Sequence, residues 1–172
     1  MITTERLLLR EMREDDFEAL YRVLGDPHIM KHYPCSFDEN KVREWICRNQ
    51  ERYRVFGFGL WAVCLRDTGE LIGDCGLTMQ IIDGRILPEI GYHIRADHQR
   101  KGYASEAARA VRDWTFEHTP FQMVCSYMID ANEPSARTAM AYGCQRIGQF
   151  MDEAQTVTNV YAVSREAWLN RR

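Results

Sequence analysis

Six residues constrain this chain more than any others: Gln99-Arg100-Lys101-Gly102-Tyr103-Ala104. They lie between Leu87 to Ile94, whose alternating apolar residues read as a strand, and Ser105 to Glu117, which reads as a helix. A turn at that point aims successive backbone N–H groups at one spot, at the positive end of the helix dipole. Such a spot suits a phosphate or pyrophosphate. Gly102 lets the backbone approach an anion with no side chain between them. Arg100 and Lys101 add positive charge.

The rest of the chain supplies a mixed α/β framework around that turn. Arg6 to Glu11 reads as a first strand. Asp15-x-x-Glu18 opens a helix with Phe17, Leu20, Tyr21 and Leu24 on one face, broken at Asp26-Pro27. Ser36-x-x-Glu39 opens a second, with Val42, Trp45, Ile46 and Tyr53 at helical spacing. Strands follow at Leu60 to Arg66, Glu70 to Ile82 and Ile86 to Ile94. The turn signals Thr68-Gly69 and Asp83-Gly84 make these antiparallel. In the helix after the loop, Ala104, Ala107, Ala108 and Val111 form a small-residue face for close packing on a sheet. Gln122 to Asp130 is apolar on both faces and reads as a central strand. A short helix runs from Asn132 to Tyr142 and ends at Gly143. Gln145 to Met151 and Val157 to Val163 form a last pair of strands.

At 172 residues the chain is expected to be one domain, 1–172, large enough to bury a core. A net charge of −3 argues against a nucleic-acid binder. The cysteines (Cys35, Cys47, Cys64, Cys75, Cys125 and Cys144) include no C-x-x-C pair, so no metal site is expected. Most sit among apolar residues and read as small buried hydrophobes. Leu7-Leu8-Leu9 is flanked by charge and no run approaches a membrane span, which points to the cytoplasm and to no membrane partner. Gly57-Phe58-Gly59-Leu60-Trp61-Ala62 formally fits G-x-G-x-x-A. The dinucleotide fingerprint needs a helix after it, and here a strand follows. His28, His32, His98 and His118 lack ligand spacing. Trp45, Trp61, Trp114 and Trp168 read as core residues. Tyr33, Phe37, Phe56 and Phe58 are candidates to line a pocket.

The spacing Gln/Arg-x-x-Gly-x-Gly/Ala at 99–104 resembles the acetyl-coenzyme A loop of the GNAT N-acetyltransferases. Four further stretches resemble the branch that includes the ribosomal-protein N-terminal acetyltransferases of RimJ and RimL type. They are Thr4-Glu5-Arg6-Leu7-Leu8-Leu9-Arg10, Pro88-Glu89-Ile90-Gly91-Tyr92, Asn132-Glu133-Pro134-Ser135 with Gly143, and Tyr161 to Trp168. The resemblance runs from residue 3 to about 168. It implies a mostly antiparallel sheet, flanked by helices, whose central parallel strand pair splays apart. Acetyl-CoA would be the cosubstrate, with its pantetheine arm in the splay. By the same resemblance Tyr92, His93 and Ile94 match the backbone positions that pair with the arm. Arg100, Lys101, Gly102, Tyr103, Ala104 and Ser105 match the pyrophosphate cradle. Asn132 matches a position that contacts the arm, and Asn is equally a common helix N-cap.

Acetyl transfer to an amine needs a lone pair, an oxyanion donor and a partner for the departing thiolate. An N-terminal amine, with a pKa of about 8, needs less help than a lysine at about 10.4. Glu89 is the leading base candidate, acting through a bridging water, and it shares a strand face with Gly91 and His93. Its other reading is a substrate-lining or arginine-paired carboxylate. Counting back from the loop, the base of some GNAT branches falls at Pro88, so Glu89 requires a bulge or a different geometry. His93 is the second base candidate, against the reading of an ordinary buried histidine. Many GNAT enzymes carry an acidic tyrosine seven residues after the helix-opening Asn. That position is Ala139 here, and Tyr142 should face another way. Ser135 matches the acid of the RimJ/RimL branch, with a second helix cap as its alternative. The expected reaction is direct acetylation of a primary amine (a protein N-terminus, a polyamine or another small amine) by a monomer or homodimer. The competing class is a non-catalytic acyl-CoA-binding or sensor module.

Overall fold

The structure is a computed structural model and describes residues 1–171. The elements are β1 (Ile2–Thr3), β2 (Leu7–Arg10), α1 (Phe17–Leu24), α2 (Glu39–Phe56), β3 (Leu60–Leu65), β4 (Leu71–Ile82), β5 (Arg85–Ile94), α3 (Tyr103–His118), β6 (Met123–Ile129), α4 (Glu133–Ala141), β7 (Gln145–Met151), β8 (Val157–Ser164) and α5 (Arg165–Leu169). The eight strands form one sheet in the order β1-β2-β3-β4-β5-β6-β8-β7. Every neighbouring pair is antiparallel except β5 and β6, which are parallel. The expected α/β architecture, mostly antiparallel with one central parallel pair and flanking helices, is the one observed.

The long hairpin of β4 and β5 turns at Asp83 and Gly84, with φ of 48° and 71°. Two successive left-handed residues match the twist of the flanking strands, as the Asp-Gly pair requires. One face of the sheet is covered by α1 and α2, whose Phe17, Leu20, Leu24, Val42 and Ile46 meet Leu60, Ala62 and Cys64. Tyr21, expected on the buried face of α1, is 36% exposed, and Val23 is fully buried in its place. The other face carries α3, with Ala107, Ala108 and Val111 close to the sheet, together with Ala139 of α4 and Trp168 of α5. Trp61 meets Trp114 edge-on at 5.0 Å on that side.

Two helix starts differ from the sequence reading. The cap of α2 is Asp38, whose carboxylate accepts from Lys41 N at 2.8 Å, and not Ser36. At the first helix the working carboxylate is Asp16 and not Asp15. Asp16 accepts from the Arg13 N–H at 2.7 Å and from Arg10 at 2.8 and 2.7 Å, which ties β2 to the start of α1. The anion-loop helix begins two residues earlier than expected, at Tyr103.

The parallel pair is the irregular part of the sheet. While β5 pairs with β4 along its whole length, it aligns with β6 only at Glu89↔Cys125. Beyond that point β6 keeps its pairing with β8 from Met123 to Ile129 and departs from β5. Side chains close the lower end of the gap. Cys125 Sγ donates to the Pro88 carbonyl at 3.3 Å, and the Ser126 hydroxyl donates to the Ile90 carbonyl. The hydroxyl of Tyr142, fully buried, lies 2.8 Å from Ser126 Oγ.

Asp16 offers a stability test. Burial works against its charge, but the Arg10 guanidinium and the Arg13 N–H outweigh it and hold the carboxyl below its ordinary range. Asp16→Asn leaves Arg10 without its counter-charge. Because Arg10 keeps 20% of its side-chain surface, we expect a loss of about 2–3 kcal/mol, under the cost of breaking a fully buried pair. Urea unfolding at neutral pH measures it. The native pKa lies below the unfolded value of about 3.9, so the contribution is complete above that value. It is lost as pH falls through the native pKa, and the gap between wild type and variant should close in acid.

Candidate active site

The turn between β5 and α3 has the geometry of an anion cradle. Arg100 and Gly102 both adopt left-handed backbone, with φ of 60° and 83°. Gly102 is the N-cap residue of α3 and caps it with no side chain, so the first N–H groups of the helix are left for a ligand. A Cβ at Gly102 would be strained in φ and would stand 3.4 Å from Arg6 Nη2. Arg100 and Lys101 are exposed, and neither forms an ion pair among the described residues. The cradle therefore fits a pyrophosphate. It is braced from outside. Gln99 Nε2 donates to the Ile94 carbonyl at 2.9 Å. Arg6 Nη1 donates to the Lys101 carbonyl at 3.0 Å, and the Arg6 guanidinium lies 4.5 Å over the Tyr103 ring while paired with Glu106 at 2.6 Å.

The gap between β5 and β6 opens directly below this turn. The Pro88 and Ile90 carbonyls face β6, and strand alternation puts the backbone of Tyr92 and then Ile94 on the same edge, beyond the last aligned pair. β6 does not pair with this stretch, the Ile94 carbonyl accepts instead from Gln99 Nε2, and residues 92–94 are where the resemblance places the extended arm.

Glu89 lies on the sheet face covered by α1 and α2. Its Oε2 accepts from the Thr78 hydroxyl at 2.9 Å. Both carboxylate oxygens stand 3.3 Å from where a Cβ on Gly91 would be, so the side chain folds over that glycine. Burial pushes its pKa up to about 7, against the Thr78 hydrogen bond and the nearby His93 and Arg52 charges, which pull it down. The pairing of β4 with β5 runs without a register shift, so no bulge carries Glu89 to the position of Pro88. It stays on the α1 and α2 face at its own place in the strand.

His93 lies on the same face, and both of its ring nitrogens are engaged. Nδ1 is 2.7 Å from Asp74 Oδ1 and Nε2 is 2.9 Å from the Tyr33 hydroxyl. Asp74 is fully buried and also accepts from Trp45 Nε1 at 2.9 Å. Burial disfavours the imidazolium, yet the Asp74 carboxylate raises the His93 pKa above its ordinary value. To take a proton from an acceptor through Nε2, His93 would have to release Tyr33. Sequence reasoning did not single out Asp74. Its signal was present, as a lone carboxylate in an apolar strand that ends up buried.

On the opposite face, Asn132 Oδ1 accepts from the Ser135 N–H at 3.3 Å and caps α4. The cap is thus supplied by Asn132, while Ser135 Oγ turns to the hydroxyl of Tyr92 at 3.1 Å. Ala139 is buried in the core and offers no polar group, and Tyr142 is committed to Ser126. Glu89 and Ser135 therefore approach the splayed strand pair from its two faces. The tyrosine side chain that reaches Ser135 comes from β5, which sequence spacing along α4 had no means of showing.

The chain matches the acetyltransferase (GNAT) domain family over residues 6–145. It belongs to that family. An uncharacterised protein of Bacillus subtilis, YkkB, is 35% identical over 143 residues, covering 83% of each chain. The N-acetyltransferase YnaD of the same organism, itself uncharacterised, is 32% identical over 87% of this chain and 85% of its own. A GNAT-family acetyltransferase structure from Bacillus anthracis superposes with a TM-score of 0.83 at 27% identity, over 96% of this chain and 98% of that one. The fold also matches an aminoglycoside acetyltransferase solved with coenzyme A, with a TM-score of 0.79 at 19% identity over 95% and 98% of the two chains. The chain is an acetyltransferase by family, its cosubstrate is acetyl-CoA, and the described residues hold no cluster suited to a metal ion. No described helix is long and apolar enough to cross a membrane.

Gly102→Val tests the cradle. It combines a strained left-handed backbone with a branched side chain where the anion approaches. We expect a folded protein whose coenzyme A affinity, read by calorimetry, falls at least tenfold, about 1.4 kcal/mol. Unchanged affinity in the folded variant would remove the cradle from residues 100–105.

Proposed function

We propose that this GNAT enzyme, a single domain of the RimJ/RimL-like branch, acetylates a primary amine by direct attack, with Glu89 as the base. The observation that carries this reading is the Glu89 carboxyl, held with a pKa of about 7 at the last aligned β5–β6 pair, where the gap begins. A carboxylate tuned to the working pH can both accept a proton and release it again. The competing reading is a binding module without turnover, and the acceptor panel below separates the two.

Acetyl-CoA supplies the thioester. The Arg100–Ser105 turn binds its pyrophosphate and the Tyr92–Ile94 edge orients its arm. Glu89 takes a proton from the ammonium of the acceptor, directly or through one water, and frees the lone pair for attack. A backbone N–H on the β5 edge faces the developing oxyanion. Ser135 Oγ donates a hydrogen bond to the departing thiolate. The acceptor class is an amine, and the surroundings of Glu89 narrow it. Asp74 is paired with His93, and Arg52 lies close enough for its charge to act on Glu89. An acidic pocket built for a polycation would lack these cations, so a protein N-terminus or a monoamine is favoured over a polyamine.

A panel of N-terminal peptides, monoamines, polyamines and aminoglycosides, read by release of free coenzyme A, tests the reaction. Turnover is expected with at least one N-terminal peptide or monoamine; binding of acetyl-CoA with no turnover on any acceptor would leave only the binding module. For the active acceptor, kcat/KM should fall below an apparent pKa of about 7, because only the carboxylate form of Glu89 is a base. Glu89→Gln should lower kcat by about a hundredfold or more, abolish that acidic limb and leave coenzyme A affinity unchanged. A rise in acceptor KM alone would make Glu89 a binding residue.

A further inference from the structure

We infer that Tyr92 is the positioning residue that holds the Ser135 hydroxyl at the gap for the departing thiolate, an inference that rests on the acetyl-transfer reading above. The Tyr92 oxygen lies 2.9 Å from the Ser135 carbonyl and 3.1 Å from Ser135 Oγ. A phenol has one proton, and a carbonyl can only accept. Shared in a three-centre bond, that proton reaches both the Ser135 carbonyl and Ser135 Oγ, and the Ser135 hydroxyl keeps its own proton to donate to the thiolate. This fixes one rotamer of Ser135, with its hydroxyl on the β5 side of the start of α4.

The arrangement separates the tasks that a single serine would otherwise share. Asn132 caps the helix by taking the Ser135 N–H, so Ser135 Oγ is not spent on capping. Ala139 has no polar group to offer, and Tyr142 is bound to Ser126 at the closed end of the gap. Tyr92 instead reaches across from β5, the strand whose edge receives the pantetheine arm. One residue thus sets both that edge and the hydroxyl beside it, so the two keep a common register. Burial raises the Tyr92 pKa far above the working range, and the phenol holds both bonds in a single protonation state.

The thiol of bound coenzyme A reports on this hydroxyl without any acceptor. Its titration is followed by the ultraviolet absorbance of the thiolate in wild type, Tyr92→Phe, Ser135→Ala and the double variant. Tyr92→Phe keeps the ring and its packing, and circular dichroism checks the fold. In wild type the bound thiol should titrate below the thiol of free coenzyme A measured in the same buffer. Ser135→Ala should move it up by about one pH unit, Tyr92→Phe by a similar amount, and the double variant no further, because residues acting as a unit are not additive. With an active amine, Tyr92→Phe should lower kcat about tenfold with acetyl-CoA KM within about twofold. A Tyr92→Phe titration matching wild type, or effects that add in the double variant, would overturn the inference. So would a Ser135→Ala titration matching wild type. A protein that binds coenzyme A yet acetylates no amine would remove the reaction, while the thiol titration still decides whether Tyr92 acts through Ser135.

Discussion

The departure of β6 from β5 after one aligned pair is the constraint on which the rest of the site depends. A regular parallel pair would satisfy the β5 edge internally and leave no gap. Here β6 is held by β8 along its whole length and meets β5 at one aligned pair. The strand backbone left on that edge is costly if buried unpaired. The chain offsets part of the cost with the Cys125 and Ser126 side chains at the closed end and with Gln99 on the Ile94 carbonyl at the other.

The two faces of the sheet divide the chemistry. The α1 and α2 face carries Thr78, Glu89, Asp74 and His93, a polar group sunk beneath apolar helices and held together by short hydrogen bonds. The α3 and α4 face carries Tyr92, Ser126, Ser135 and Tyr142, all hydroxyls. Glu89, whose pKa burial pushes up to about 7, sits on the α1 and α2 face, whereas the buried phenols of Tyr92 and Tyr142 on the other face stay neutral. The gap is the passage between them.

Much of this was legible in the chain. The strand ladder followed from period-two alternation and from Asp83-Gly84, whose left-handed pair allows little but a tight hairpin. The anion turn followed from Gly102 between a strand and a helix. Helix starts were less legible. Ser36 with Glu39 and Asp38 with Lys41 both fit a cap, and local pattern cannot decide between oxygens two residues apart when tertiary packing of Val42 and Ile46 sets the phase. Contacts across the gap were not legible at all. Alternation shows which face Tyr92 occupies, but its meeting with Ser135 depends on how far β6 splays, a property of the whole sheet. Asp74 was visible only as an anomaly, and its meaning waited on His93.

The brace on the anion turn changes what that six-residue motif is. Arg6 reaches the Lys101 carbonyl across 95 positions of chain, and Thr4 and Arg6 together hold Glu106 in the first turn of α3. Closing so long a loop costs entropy that six residues cannot repay by themselves. The motif is therefore not portable. Excised as a peptide or grafted onto another strand and helix, 99–104 would keep its charges and its glycine but lose the strut that fixes their shape. Order in the turn is inherited from the docked amino-terminal strand, so any opening that frees β2 also dissolves the cradle, and the two belong to one cooperative unit.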